Sequence, residues 1–476
     1  VRAVAVLAGA ALLLWPALLN GYPLVFSDTG AFLAQTVQGW PVWDKPLVYG
    51  PLLHGFHWRV TLWPPMAAQG VALSWLLWLT QREVVGVRPA RHLLFCAGLA
   101  AATAAPWFAA TLMPDWLAPA LVLALWLLGF AWDRLAGWER AALGLLAMLA
   151  MAAHLSHLPL AAALALLALW RGWRPALRCA LPLAGALALL LTTNLWAHGR
   201  PAVSPYGAVF ALARLAADGP AARTIAAHCP KAGWHLCRWA GRLPADSDEF
   251  LWAGDGPVWA PRTDGAQPGG PISLAPEAAT IVAETLRREP LAVLRAALAN
   301  AWAQLRLVRV GDTLGKENLE ASVARQLALG FPAGEQARFA ASLQARGMLR
   351  DAAQPFLALH LAALLLGAAG VLLALRDPRR RGFAAWVILA VLVNAAATGA
   401  LSKPHHRYQA RIVWLLPFAA LLIPGKGPAL PRTPSRQAGT RPGPVRATPS
   451  PAPALPRGSA WRGARTGRRC RAAGTA

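Results

Sequence analysis

Long apolar runs separated by short polar stretches set the rhythm of this 476-residue chain. A run of roughly 17–22 residues crosses about 30 Å of hydrocarbon at 1.5 Å of rise per residue. The pattern predicts ten spanning helices, at about 3–19, 62–81, 92–110, 116–132, 140–155, 157–170, 177–197, 356–375, 383–401 and 409–424. The first run exceeds a signal-peptide core and no small-x-small cleavage pattern follows it, so it reads as a retained span. The stretch 140–170 is too long for one crossing and divides at His154-Leu-Ser-His-Leu-Pro159.

One segment, 198–355, has the length and polarity for a water-exposed domain. Helical periodicity marks about 206–217, 276–288, 290–308 and 334–349, and the Pro/Gly-rich piece from Gly254 to Pro271 predicts loops. Leu291, Leu294, Leu298, Trp302 and Leu305 recur at helical spacing beside Arg295, Arg306 and Arg309, a pattern that suits a membrane-surface helix, one packed on the spans, or equally one packed in a core. The chain is therefore expected to be an all-α polytopic membrane protein in four parts: a seven-span module (1–197, first outer loop 20–61), a mainly helical extracytoplasmic domain (198–355), a three-span module (356–424), and a disordered basic tail (425–476).

Composition agrees: 57% of residues are hydrophobic and 14% charged, against about 25% charged in soluble domains. The 23 Trp against 4 Tyr suit membrane interfaces. A net charge of +25 would suggest nucleic acid on a soluble surface. Here eleven basic residues and no acids lie after Gly425 and most others punctuate the apolar runs, which assigns the charge to topology and anionic lipid and excludes a nucleic-acid partner.

Arg82, Arg88 and Arg91 follow the second predicted span, Arg134 and Arg140 the fourth, Arg171, Arg174 and Arg178 the sixth, and Arg376, Arg379, Arg380 and Arg381 the eighth. The intervening short loops, around Met113-Pro-Asp115 and His154 to Pro159, carry no Lys or Arg. The positive-inside rule then puts both termini in the cytoplasm of an inner-membrane protein, with 198–355 outside. The loop 402–408 breaks the rule, being basic on the outward side. Five cysteines are too few for a disulfide scaffold; Cys229 and Cys237, in the outer segment, are spaced for a local bridge in an oxidising compartment.

A carboxylate beside a span is costly unless solvated or paired, which singles out Asp28 in Ser27-Asp-Thr-Gly30. Ser27 or Asp28 also suits a helix cap before a short helix running to Gln38. Asp-Thr-Gly matches the aspartic-protease tripeptide, but that chemistry needs two such carboxylates and this chain has one copy. Asp115, after Pro114, is one of few acids near the outer membrane surface. Lys403, His406, Arg407 and Tyr408, with His405 and Arg411 nearby, form a cationic cluster fit to clamp a phosphate. Asp44 is placed to pair with Lys45, and His54 and His157 lie in or beside outward loops. The pairs His54/His57 and His154/His157 also leave a divalent cation open as a cofactor.

Assembled, these residues resemble the type C (GT-C) glycosyltransferases, multispanning enzymes that take sugars from polyprenyl-phosphate donors. The resemblance lies in Asp28 after the first span, Asp115 in the second outer loop, and the Arg-Tyr pair in His406-Arg-Tyr-Gln-Ala-Arg-Ile-Val-Trp-Leu-Leu-Pro417. It implies a lipid-linked donor, an acceptor deprotonated by Asp28, the donor phosphate held by the cations at 403–408, and sugar or acceptor contacts from Asp44, His54 and His157. The chain departs from the family where Thr29 follows Asp28, replacing an Asp-Glu pair, and in lacking a paired Asp-x-Asp. The competing expectation is a non-enzymatic transporter or lipid-handling protein of the cell envelope.

Overall fold

Helices fill nearly every apolar run in the computed structural model, which describes residues 1–261 and 269–422. Among these the only β contact is an isolated parallel bridge between Leu24 and Thr111. The expected basic tail, 425–476, with Cys470, lies outside the described residues.

Among the described residues two helices, Trp173–His198 and Arg381–Leu401, are long and apolar enough to cross a membrane. Leu349–Leu357 and His360–Ala374, bent by 42°, make a third if they form one span. Most of the other predicted spans coincide with shorter or interrupted helices. The first divides into Arg2–Leu13 and Trp15–Asn20, with Pro16 starting the second piece. The third breaks after Ala102 and resumes as Ala105–Ala110, again with a proline at its start. The last breaks at Trp414 into His406–Val413 and Leu415–Leu421. Proline lacks the N–H that would continue a helix but fits its first turn, so these breaks follow from sequence. Gly137–Ala153 and His157–Ala168 separate at the expected histidine loop. Large apolar side chains face outward on several of these helices, among them Leu166, Trp170, Leu181 and Trp196, and Leu365 and Leu366; that surface suits lipid.

The bundle has two chemically distinct ends. At one, Glu139 takes Arg2 at 2.9 Å and both terminal nitrogens of Arg82 at 2.8 Å, while Glu83 takes Arg82 and Arg134. Arg178 approaches Asp133 nearby. The charge alternation read from sequence had placed these segments on one side, and they do meet. At the other end the loops containing Asp28, Asp115, Ser156 and Arg407 converge.

The segment 198–355 serves two cores rather than one. Tyr206, Val209, Leu212, Phe250, Leu274 and Ile281 belong to a separate small core, with Trp43 packed against it. From Leu314 onward the chain joins the main core. There Gln344 bonds the backbone of Val25 in both directions, and Glu335 accepts from Tyr22 at 2.6 Å and from the Leu62 N–H at 2.8 Å. Between these parts, Pro290–Arg306 lies along Arg381–Leu401 and leaves Leu291, Leu294, Leu298 and Trp302 exposed. The helix thus packs on a predicted span, but not through the stripe that suggested it: four of its five apolar residues stay exposed, which also sets aside core packing for them.

The contact of Pro290–Arg306 with Arg381–Leu401 depends on Gly399, where a Cβ would lie 2.6 Å from the Asn300 carbonyl oxygen and 2.9 Å from the Ala301 Cα. Both neighbours are backbone, so Gly399→Ala must separate the helices. We expect a loss of about 1–3 kcal/mol, read as a lower unfolding midpoint in detergent; an unchanged midpoint would show that the helices do not touch there.

Candidate functional site

The Ser27–Val37 helix begins where an extended Phe26 turns the chain. Neither Ser27 nor Asp28 caps it, contrary to the cap expected from sequence. Thr29 does that work: its hydroxyl accepts from the Phe26 N–H at 2.9 Å and donates to the Leu112 carbonyl at 2.9 Å. Gly30 is required by a close approach, since a Cβ would sit 2.6 Å from the Ser322 carbonyl carbon and 2.9 Å from the Val323 nitrogen. Asp-Thr-Gly is thus explained by a cap and a backbone crossing, and Asp28 is left with its carboxylate free to turn elsewhere.

It turns to two cations. Lys45 Nζ lies 3.3 Å from one carboxylate oxygen and Arg407 donates to the other at 3.4 Å. Lys45 also donates to Asp44 at 2.6 Å, the expected pairing. Arg407 donates to the Tyr408 hydroxyl at 3.2 Å, lies over the rings of Phe26 and Tyr408, and donates its backbone N–H to the Asp312 carboxylate at 3.1 Å. Burial alone would push the Asp28 carboxyl up, but the charges of Lys45 and Arg407 outweigh it and hold it below the ordinary 3.8. On Lys45 burial is likewise outweighed, by Asp28 and Asp44, and the ammonium is held above its ordinary range. Both directions describe one closed ion cluster.

Behind it lies a fully buried pair. Arg411 donates to Asp115 at 3.2 Å, to the Ser156 hydroxyl at 2.9 Å and to the Asn394 side-chain oxygen at 3.1 Å. Asn394 donates in turn to the Tyr408 carbonyl at 2.7 Å, fixing the helix that carries Arg407. The His154 and His157 rings stack 5.0 Å apart, and His154 lies 6.4 Å from the Tyr408 ring. Asp28, Asp115, Arg407, Tyr408 and His157 therefore share one end of the bundle.

Other candidates are placed elsewhere or otherwise engaged. Lys403 pairs with Asp246 at 2.6 Å and Asp248 at 3.1 Å, and His405 lies 3.5 Å from Asp248. Those contacts, His405 first, bring the Asp248 carboxyl down to about 2. The basic loop that broke the charge rule is thus matched by acids of the 206–282 core's own segment. His406 spends its Nδ1 on the Arg309 N–H at 3.0 Å, a structural tie. His54 packs against His57 at 5.1 Å, and His57 in turn against Phe331. Among the described residues no three His, Cys, Asp or Glu side chains gather as a metal site; the acids of the cluster face cations instead. Cys229 and Cys237 are bonded to each other.

Sequence reasoning gave Lys45 only to Asp44 and did not single out Asp312, Ser156 or Asn394. Asn394 had a readable signal, an amide in the middle of an apolar run. Comparisons with family models, curated proteins and solved structures find no match for this chain.

The cluster has an acid limb. A carboxyl held low in the folded state contributes stability fully above its unfolded value, here about 3.8, and loses that contribution as pH falls through the lower folded value. Wild-type protein should exceed Asp28→Asn by about 1 kcal/mol at pH 7, with the gap closing below pH ~4. Melting midpoints of both proteins from pH 7 to 3 check this; a gap independent of pH would remove the ion cluster as its source.

Proposed function

We propose that this chain is a membrane glycosyltransferase that moves a sugar from a polyprenyl-phosphate donor to an acceptor at the extracytoplasmic face. One observation carries the reading: Asp28, near the start of the chain, and Arg407, near its described end, meet at 3.4 Å with Lys45 as a second cation. An acid beside paired cations is the minimum set for attack at an anomeric carbon bearing a phosphate. The ten-pass topology with both termini cytoplasmic belongs to the same proposal. It is supported by the gathering of the arginine-rich segments at the end opposite Asp28.

In this mechanism the donor phosphate lies against Arg407 and Lys45, where negative charge grows as the glycosyl bond breaks. Lys45 replaces Lys403 in that role, and His406 positions Arg407 through its tie to Arg309. At rest Asp28 is a weak base, because two cations neutralise it. A phosphate competing for those cations raises its basicity, so the base is switched on when donor is present. Asp28 then takes the proton of an acceptor hydroxyl on the far face of the sugar, which inverts the anomeric centre.

An apolar groove of about 780 Å³, lined by Ala8, Leu12, Trp15, Leu93, Ala97 and Phe356 among others, suits the prenyl chain. Trp15 packs on Trp107 at 5.3 Å, and the Trp107 carbonyl accepts from the hydroxyl of Thr111, which bridges to Leu24 just before Phe26. The groove is thereby joined through packed residues to the strip that carries Asp28.

The test is transfer in nanodiscs with a panel of polyprenyl-phosphate sugars and a membrane-lipid extract as acceptor. Asp28→Asn should lose about 10²-fold or more of transfer while still binding donor, and Arg407→Ala should lose donor binding itself. Full transfer by an inserted, folded Asp28→Asn protein would rule out the base. Donor binding with flux between leaflets and no transfer by wild type would instead identify a lipid-handling protein.

A further inference from the structure

A second cavity, of about 490 Å³, opens beside Trp234 on the segment that carries the small core. Its size lies in the range of small-molecule sites. The floor is one face of the Pro271–Arg288 helix, where Ala279, Thr280 and Ala283 leave room that larger side chains would fill. Trp234 and His228 form the wall, with ring centroids 5.3 Å apart. Glu284 stands at the rim, 3.2 Å from Arg287 and 3.7 Å from His228 Nε2. Thr280 donates its own proton to the Pro276 carbonyl, so its oxygen remains an acceptor toward the cavity.

The position of the indole is fixed from several directions. The Cys229–Cys237 bond closes the loop that bears it. The Glu277 carboxylate accepts the backbone N–H groups of His235 at 2.9 Å and Leu236 at 3.0 Å, tying the loop to the same helix that forms the floor. The Trp234 carbonyl accepts from the Cys237 N–H at 3.0 Å. Packing against the small core accounts for one side of Trp234, but not for the cavity left open beside it. A rigidly held aromatic wall, a floor of small residues and a rim of paired polar groups is the arrangement a preorganised binding site requires.

We infer that this cavity binds a neutral pyranose ring. Such a ring has an apolar C–H face, which the indole covers, and a rim of hydroxyls, which donate to Glu284 and Thr280 and accept from Arg287. Glu284 balances Arg287, so the rim carries no surplus charge to recruit a phosphate or a uronate. The site stands apart from the Asp28 cluster, and its test reads binding rather than transfer.

Full-length protein in sugar-free nanodiscs is examined by saturation-transfer NMR with methyl pyranosides of glucose, mannose, galactose and N-acetylglucosamine. At least one should bind, with transfer strongest to the protons of one ring face. Trp234→Ala should weaken that binding tenfold or more and Glu284→Gln several-fold, while Trp234→Phe retains part of it and Asp28→Asn leaves it unchanged. Glu284→Gln keeps the size of the side chain and guards against a loss of fold in Trp234→Ala; an intact disulfide by mass confirms the loop. The inference is overturned if none of the four sugars binds, if both folded variants bind as wild type does, or if glucose 1-phosphate binds more tightly than any neutral ring. Unchanged sugar binding alongside full transfer by Asp28→Asn would sink the catalytic reading and leave this one standing.

Discussion

A carboxylate beside apolar helices has to be met by positive charge, and at Asp28 that charge comes from Lys45 in the same loop and Arg407 at the far end of the described chain. Closing this cluster brings the first loop and the last helices together. The structure holds both partners on separate scaffolds. Gln344 and Glu335 fix the strip around Tyr22 and Val25, while Asn394 and the buried Arg411–Asp115 pair fix the helix bearing Arg407. A buried pair of this kind need not add net stability, since desolvation opposes attraction. Its consequence is positional: with Arg411 anchored to Asp115, Ser156 and Asn394, Arg407 one turn earlier has its direction set.

The loop 402–408 links this cluster to the small core's segment. Lys403 and His405 engage Asp246 and Asp248, the His405 ring stands 5.8 Å from Tyr408, and the Tyr408 hydroxyl accepts from Arg407. Three contacts thus connect the acidic turn at 246–248 to the Arg407 guanidinium.

Helix positions were largely legible because period and length are written into apolar runs, and the pairing of the arginine segments at one end was legible from charge alternation. The break at the His154–Pro159 loop was read in advance; those at Pro16 and Pro106 were equally written there, though unbroken spans were expected. The site was half legible. Asp28 and Arg407 could be chosen because each violates a local rule, one as an acid beside a span and the other as a cation on the wrong side. Partner choice could not be read, because it depends on where loops hundreds of residues apart arrive. Lys403 was therefore assigned to the phosphate when its acids lay at 246 and 248, and Lys45 was given to its neighbour alone. The division of 198–355 between two cores was hidden for the same reason: its second half is apolar toward the first loop, a destination that periodicity does not specify.

The most direct measurement of the central claim is covalent. In Asp28→Cys/Arg407→Cys protein, with Cys96 and Cys179 buried and Cys470 replaced by Ser, a short bis-maleimide should join residues 28 and 407. Mass spectrometry would then show the two proteolytic peptides linked in high yield in folded protein and unlinked after denaturation. Equal labelling of both cysteines as separate monoadducts, with no linked peptide from the folded protein, would contradict the account and part the acid from the arginine.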